Sequence, residues 1–166
     1  MHRFASIMLG AAVAVCAMVG TSVAEAAEMI WPVPPSRVAL DTPYGALTVK
    51  ASDYVYESVL LLDGKAVTPK IEGIVNITYA FATQKSQIAL VSVNSGSYRC
   101  PVTYHWITVD KNGYIVSPAF GSCSQKIKVF TVGSKFVMET PNAQHADEID
   151  VYTYDGKSIR RRVKRS

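Results

Sequence analysis

From Val55 onward the hydrophobic positions come in short runs of β-branched and aromatic residues, cut apart by two-residue turn signals. Asp63-Gly64 follows Val55 to Leu62, and Asn112-Gly113 separates Thr103 to Val109 from Tyr114 to Val116. Gly133-Ser134 separates Ile127 to Val132 from Lys135 to Met138, and Asp155-Gly156 separates Ile149 to Tyr154 from Lys157 to Val163. Such dipeptides supply the positive φ of tight hairpins. Gln84 to Gln87 closes one more hairpin, between Ile74 to Ala82 and Ile88 to Val93. Helical periodicity is hard to find. About ten strands at short spacing predict an all-β, antiparallel, hairpin-rich domain, compatible with either a two-sheet sandwich or a barrel. A propeller is set aside, because the hairpins keep no constant period.

The turns also set registers. With Asn112-Gly113 as the turn, Val102 faces Cys123, and Cys100 lies two residues beyond. Cys100 and Cys123, the even pair left after signal removal, are expected to form one disulfide, which in this register staples the open end of the hairpin where Pro101 and Pro118 interrupt pairing. Closing such a loop contributes about 3 kcal/mol in the chain-entropy account. The same register pairs Tyr104 with Gly121 and Trp106 with Ala119. With Asp155-Gly156 as a tight turn, Asp150 faces Arg161, Asp147 faces Lys164 and Tyr152 faces Ile159. The cationic C-terminus then reads as a paired edge strand, which its charges protect from edge-to-edge aggregation.

The N-terminus reads differently. His2 and Arg3 precede the apolar run Ile7 to Val19, and Ala24-Glu25-Ala26 offers small residues where a signal peptidase reads. Residues 1–26 are expected to be a cleaved export signal. A bilayer span takes about 20 apolar residues, so this run predicts no transmembrane anchor after processing. Cys16 lies inside the run, with Val15 where a lipoprotein signal needs a small residue, and goes with the discarded segment. Residues 27–36 hold Trp31-Pro32-Val33-Pro34-Pro35 and predict an extended lead-in. Residues 37–166 make one all-β domain, and 49% hydrophobic with 18% charged content is that of a globular chain. The expected location is periplasmic or secreted, where a disulfide persists.

Charge sharpens one region. The net charge of +4 conceals a cluster. Lys157, Arg160, Arg161, Arg162, Lys164 and Arg165 all fall in the last ten residues, and the rest of the mature chain is slightly acidic. An anionic partner is to be sought there. Tyr98, Tyr104, Trp106 and Tyr114 gather around the disulfide hairpin and read either as core or as a recognition patch. Together with Arg160, Arg161 and Arg162 they form the candidate binding surface.

Catalytic chemistry finds no motif. His105 shares one strand face with Ile107 and Val109 and reads as a half-buried, hydrogen-bonded residue. His145 lies in a polar loop beside Asp147 and Glu148. No nucleophile elbow, zinc-protease helix, phosphate loop or calcium loop occurs. No metal or cofactor is expected. Asn76-Ile77-Thr78 and Arg162-Val163-Lys164-Arg165 match a glycosylation sequon and a dibasic site, and both read as chance in a bacterial chain.

The stretch Ile88-Ala89-Leu90-Val91-Ser92-Val93-Asn94-Ser95-Gly96, then Cys100-Pro101, then Phe120-Gly121-Ser122-Cys123-Ser124, resembles a group of small exported proteins of proteobacteria for which no activity is established. In these a hydrophobic strand leads to a glycine turn and Cys-Pro, and a Phe-Gly-x-Cys-Ser segment follows. Here Ser97-Tyr98-Arg99 fills the turn, where smaller residues are more usual. The expected function is that of an exported, non-catalytic binding module. Its partner would be an envelope or secreted protein, or an anionic envelope component; the compartment argues against nucleic acid. The alternatives are an envelope hydrolase with residues converging from separate strands, and an envelope structural or surface-assembly subunit.

Overall fold

A computed structural model describes residues 30–166. The expected export signal and the start of the expected lead-in lie outside the described residues. The described chain holds twelve strands and no helix: β1 (Ala39–Thr42), β2 (Gly45–Ala51), β3 (Ser58–Leu62), β4 (Lys65–Ala66), β5 (Glu72–Ala82), β6 (Ser86–Asn94), β7 (Val102–Asp110), β8 (Gly113–Val116), β9 (Lys128–Val132), β10 (Lys135–Pro141), β11 (Glu148–Tyr154) and β12 (Ile159–Arg165). All pairings are antiparallel. One sheet runs β1-β2-β3-β5-β6-β7-β8, with β4 on β3, and the other runs β12-β11-β10-β9.

The choice between sandwich and barrel resolves into layers. The larger sheet curls over its own core of Leu47, Leu60, Ile77, Val91, Ile107 and their neighbours, but its end strands β1 and β8 do not pair. The Tyr114 hydroxyl accepts the Thr68 N–H at 2.8 Å, tying the β8 end to the loop after β4. The smaller sheet packs on the opposite face of β5, β6 and β7. There Ile88, Leu90, Tyr104 and Trp106 meet Phe136, Met138, Tyr152 and Tyr154. Strands β6 and β7 are thus covered on both faces. That is why Ile88 to Val91 is an unbroken apolar run, not an alternating one.

Trp106 sits at the centre of the inter-sheet core. Its ring lies nearly parallel to that of Tyr154, with centroids 5.5 Å apart, and stacks on Phe120 at 6.4 Å. Its Nε1 is a buried donor without a partner among the described residues.

Two turns differ from expectation by the same cause. The β7–β8 turn is Lys111-Asn112, not Asn112-Gly113, and Asp110 pairs with Gly113. The Asp110 carboxylate accepts the Asn112 N–H at 2.7 Å and starts the turn one residue earlier. Tyr104 accordingly bridges Phe120, not Gly121, and Trp106 bonds Ser117, not Ala119. In the β11–β12 connection the Asp155 carboxylate accepts the N–H groups of Lys157 and Ser158, which opens a four-residue loop. Tyr154 pairs with Ile159 and Tyr152 with Arg161, so the pairs Asp150–Arg161, Asp147–Lys164 and Tyr152–Ile159 are not directly opposite. A further difference lies before β3. Val55 and Tyr56 belong to the loop Ser52–Glu57, and pairing starts only at Ser58.

Cys100 and Cys123 are joined by a disulfide, with Cα atoms 4.6 Å apart. Gly121, just ahead of it, has φ +121°, and a Cβ there would meet the Tyr104 ring at 2.9 Å. The described part of the lead-in carries no regular structure until Arg37 exchanges backbone hydrogen bonds with Ile77. Trp31 packs on Val137, Ile149 and Val151, across the outer face of the smaller sheet.

Candidate functional site

The C-terminal cations are fixed by β12, the edge strand of the smaller sheet, as its pairing with β11 shows. Alternation divides them between two faces. Arg161 lies on the core side. Its Nη2 donates to the Asp150 Oδ1 at 2.9 Å, reaching diagonally across the pair. The Asp150 side chain is only 2% exposed and also accepts from Asn142 Nδ2 at 2.8 Å and from the Tyr152 hydroxyl at 3.4 Å. That hydrogen bond to Asp150 raises the Arg161 pKa above its ordinary value. Burial, with the Asp150 charge second, raises the Tyr152 phenol. This cluster is a satisfied structural network that holds the Arg161 guanidinium on Asp150 although its side chain stays 53% exposed.

Arg160, Arg162 and Lys164 point to the outer face. The register runs in rungs across the sheet: Arg160–Thr153–Val137–Phe130, then Arg162–Val151–Glu139–Lys128, then Lys164–Ile149–Pro141. Cations therefore stand on both edge strands, with an apolar floor between them. Lys135 and Val132 close the corner. Among the described residues Glu139 is the one carboxylate on these rungs, and Lys164 Nζ holds it at 2.6 Å. Lys128 lies over the Phe130 ring, 5.9 Å from its centroid. Trp31 covers one end of the floor. The other end is a shallow depression of about 430 Å³, lined by Val132, Lys135, Val137, Thr153 and Arg160 to Arg162.

The aromatic part of the predicted surface disperses. Tyr104 and Trp106 are buried between the sheets and cannot meet a partner. Burial pushes the Tyr104 phenol well above its ordinary pKa, and its hydroxyl donates to the Ser124 carbonyl at 2.9 Å. Tyr114 is half-buried and bonded to Thr68. Only Tyr98 is fully exposed, on the loop after β6. His105 is half-buried with Nδ1 2.9 Å from the Ser117 carbonyl, and His145 is exposed in its loop. No group of three or more metal-ligating side chains occurs among the described residues.

Sequence reasoning missed one surface. The loop between β2 and β3 carries Asp53-Tyr54-Val55-Tyr56-Glu57, with Tyr54 95% and Tyr56 98% exposed. With Ile74 it lines an apolar hollow of about 520 Å³. Pairing of Ser58 with Gly73 and of Ile74 with Asn94 puts this loop at the same sheet end as the Tyr98 loop. The available signal was the pair of carboxylates flanking Tyr-Val-Tyr, which a buried strand would not carry.

No protein-family model, no curated protein and no solved structure matches this chain. Among the described residues no helix is long and apolar enough to cross a membrane.

Proposed function

We propose that the protein is an exported, non-catalytic binding module, periplasmic or secreted, that holds an anionic partner on the outer face of its smaller sheet. The observation that carries this reading is the charge asymmetry of that face. Arg160, Arg162, Lys128 and Lys135 surround an apolar floor, and the face's carboxylate is already neutralised by Lys164. A merely solvated sheet face mixes both signs over polar side chains. The partner is an envelope or secreted protein with an acidic surface, or an anionic envelope component. The disulfide supports the oxidising compartment. The likeness of Cys100-Pro101 and Phe120-Gly121-Ser122-Cys123-Ser124 to exported proteobacterial proteins supports the same compartment.

Cosedimentation with phosphatidylglycerol vesicles, against pure phosphatidylcholine vesicles, tests the reading. Each cation close to an anionic surface contributes about 1 kcal/mol, so Arg160→Glu with Arg162→Glu should weaken binding at least about tenfold. Binding should also fall steeply as salt shortens the Debye length. Equal binding to both vesicle types, or binding indifferent to the double substitution, would overturn it.

A further inference from the structure

The two surfaces above are complementary to each other. One is an exposed loop whose centre is Tyr54-Val55-Tyr56 and whose flanks are Asp53 and Glu57. The other is a hollow whose floor is Val132, Val137 and Thr153 and whose rim is Arg160, Arg162 and Lys135. The exposed apolar side chain of the hollow is Val132, and the charges around it are opposite to those that flank the loop. Neither Asp53 nor Glu57 belongs to an ion pair among the described residues, and nor do Arg160, Arg162 or Lys135. Among the described residues, only in this loop are three consecutive large hydrophobic side chains exposed.

We propose that the partner of the cationic face is a second copy of this chain, whose Asp53–Glu57 loop docks into the hollow beside Arg160 and Arg162. This deepens the anionic-partner reading and rests on it. The contact joins two different patches, so it is heterologous. Such contacts run head to tail and propagate when the rotation between copies does not close.

Size sets the strength. A covered tyrosine buries about 150–250 Å². Two rings and a valine therefore supply about 400–600 Å² per copy, short of the about 800 Å² per partner of a standard interface. The association is weak per contact and depends on concentration. It is also sensitive to salt, because charged rims set the encounter. Tyr, Ser and Gly dominate the neighbouring Ser95–Arg99 loop at the same end, the composition that adaptable recognition loops use. Tyr98 there is fully exposed at the same sheet end as the docking loop.

Sedimentation velocity of the purified protein over a concentration series is the test. At low salt the mass average should rise about twofold or more above the monomer, and at about 1 M salt it should return to it. Tyr54→Ser with Tyr56→Ser, and separately Arg160→Glu with Arg162→Glu, should each stay monomeric. Mixed together, they should form a dimer and grow no further, since one supplies only the face and the other only the loop. Asp53→Lys with Glu57→Lys should associate with the Arg160→Glu, Arg162→Glu variant and not with itself. Lys135→Glu replaces the arginine variant if circular dichroism shows that variant unfolded. A wild-type chain that stays monomeric, loop variants that associate like wild type, or a mixture that stays monomeric would each overturn the proposal. Vesicle binding separates the two readings. Tyr54→Ser with Tyr56→Ser should keep it, and vesicle binding without self-association sinks the self-docking alone. Loss of both sinks the anionic-partner reading as well.

Discussion

Removing the cation from the Asp150–Arg161 pair should cost more than removing the anion. The pair is lopsided: the Asp150 side chain is 2% exposed and that of Arg161 is 53% exposed. Two unit charges about 4 Å apart interact by about 4 kcal/mol at an effective dielectric near 20. Half-exposure of the guanidinium and its ordering entropy reduce this, and the desolvation of Asp150 offsets part of the rest. Arg161→Met leaves the carboxylate buried with only Asn142 and Tyr152 as donors. Breaking a fully buried pair costs about 3–5 kcal/mol, and two surviving hydrogen bonds bring the expected loss to about 2–3 kcal/mol. Asp150→Asn removes the charge but keeps an acceptor, and frees Arg161 to turn into solvent. Its expected cost is about 1 kcal/mol. Urea denaturation followed by tryptophan fluorescence, on both single variants and the double, gives each loss and their coupling. Arg161→Met no more destabilising than Asp150→Asn, or a coupling below about 0.5 kcal/mol, would refute the reasoning.

Cys100→Ser with Cys123→Ser should lower stability by about 2–5 kcal/mol without changing the sheet signal, and an unchanged urea midpoint would contradict this. Gly121→Ala places a Cβ 2.9 Å from the Tyr104 ring at a left-handed φ, so it should cost about 2 kcal/mol or more. Gly64→Ala, at φ +76° in open space, should cost only about 1 kcal/mol, and equal melting temperatures for the two would speak against the packing at Gly121. Burial raises the phenol pKa values of Tyr79, Tyr104, Tyr152 and Tyr154 above the unfolded value of 10.0. Their contribution is complete below pH 10 and is lost as pH rises above it, so the phenolate absorbance of these four should appear together with loss of the sheet signal in an alkaline titration. Deleting residues 157–166 removes β12 and exposes the β11 edge with Asp150 unpaired, so the truncated protein should unfold or aggregate; a wild-type melting temperature would be the contrary result.

The hairpins were legible because their turn residues act locally. The Gly133-Ser134 turn stands where expected, Cys100 and Cys123 are joined, and the C-terminal cations do pair as a strand. The register errors share one source. In each, an aspartate at or just past the end of the first strand, Asp110 or Asp155, accepts the N–H two residues on and sets a turn other than the one the Asn112-Gly113 or Asp155-Gly156 dipeptide indicates. The Asp150–Arg161 pair survives the error because the β11–β12 register moves by two residues, which keeps every side chain on its face. What the sequence could not convey is non-local. Tyr104 and Trp106 are buried because a second sheet covers β7, and nothing within the β7 segment names that sheet. Lys164 finds Glu139, two strands away, instead of Asp147. Tyr54 to Tyr56 have strand-forming side chains but no neighbour to pair with, since β2 ends at Ala51 and β3 starts at Ser58.

The candidate binding face exists because the smaller sheet spends only one side on the core. Its inner side is used up by Phe136, Met138, Tyr152 and Tyr154 against β7. An outer side with no partner would be expected to be polar throughout, yet Val137, Ile149 and Val151 lie there. Part of that apolar area is packed, because Trp31, alongside Phe130, sits against this cluster from a segment that prolines hold extended. It does not reach Val132, which stays 58% exposed among Lys135, Arg160 and Arg162. The lead-in therefore decides how much of the floor is structural and how much is open. What it leaves open is the part ringed by cations without carboxylates, where Val132 stands exposed among Lys135, Arg160 and Arg162.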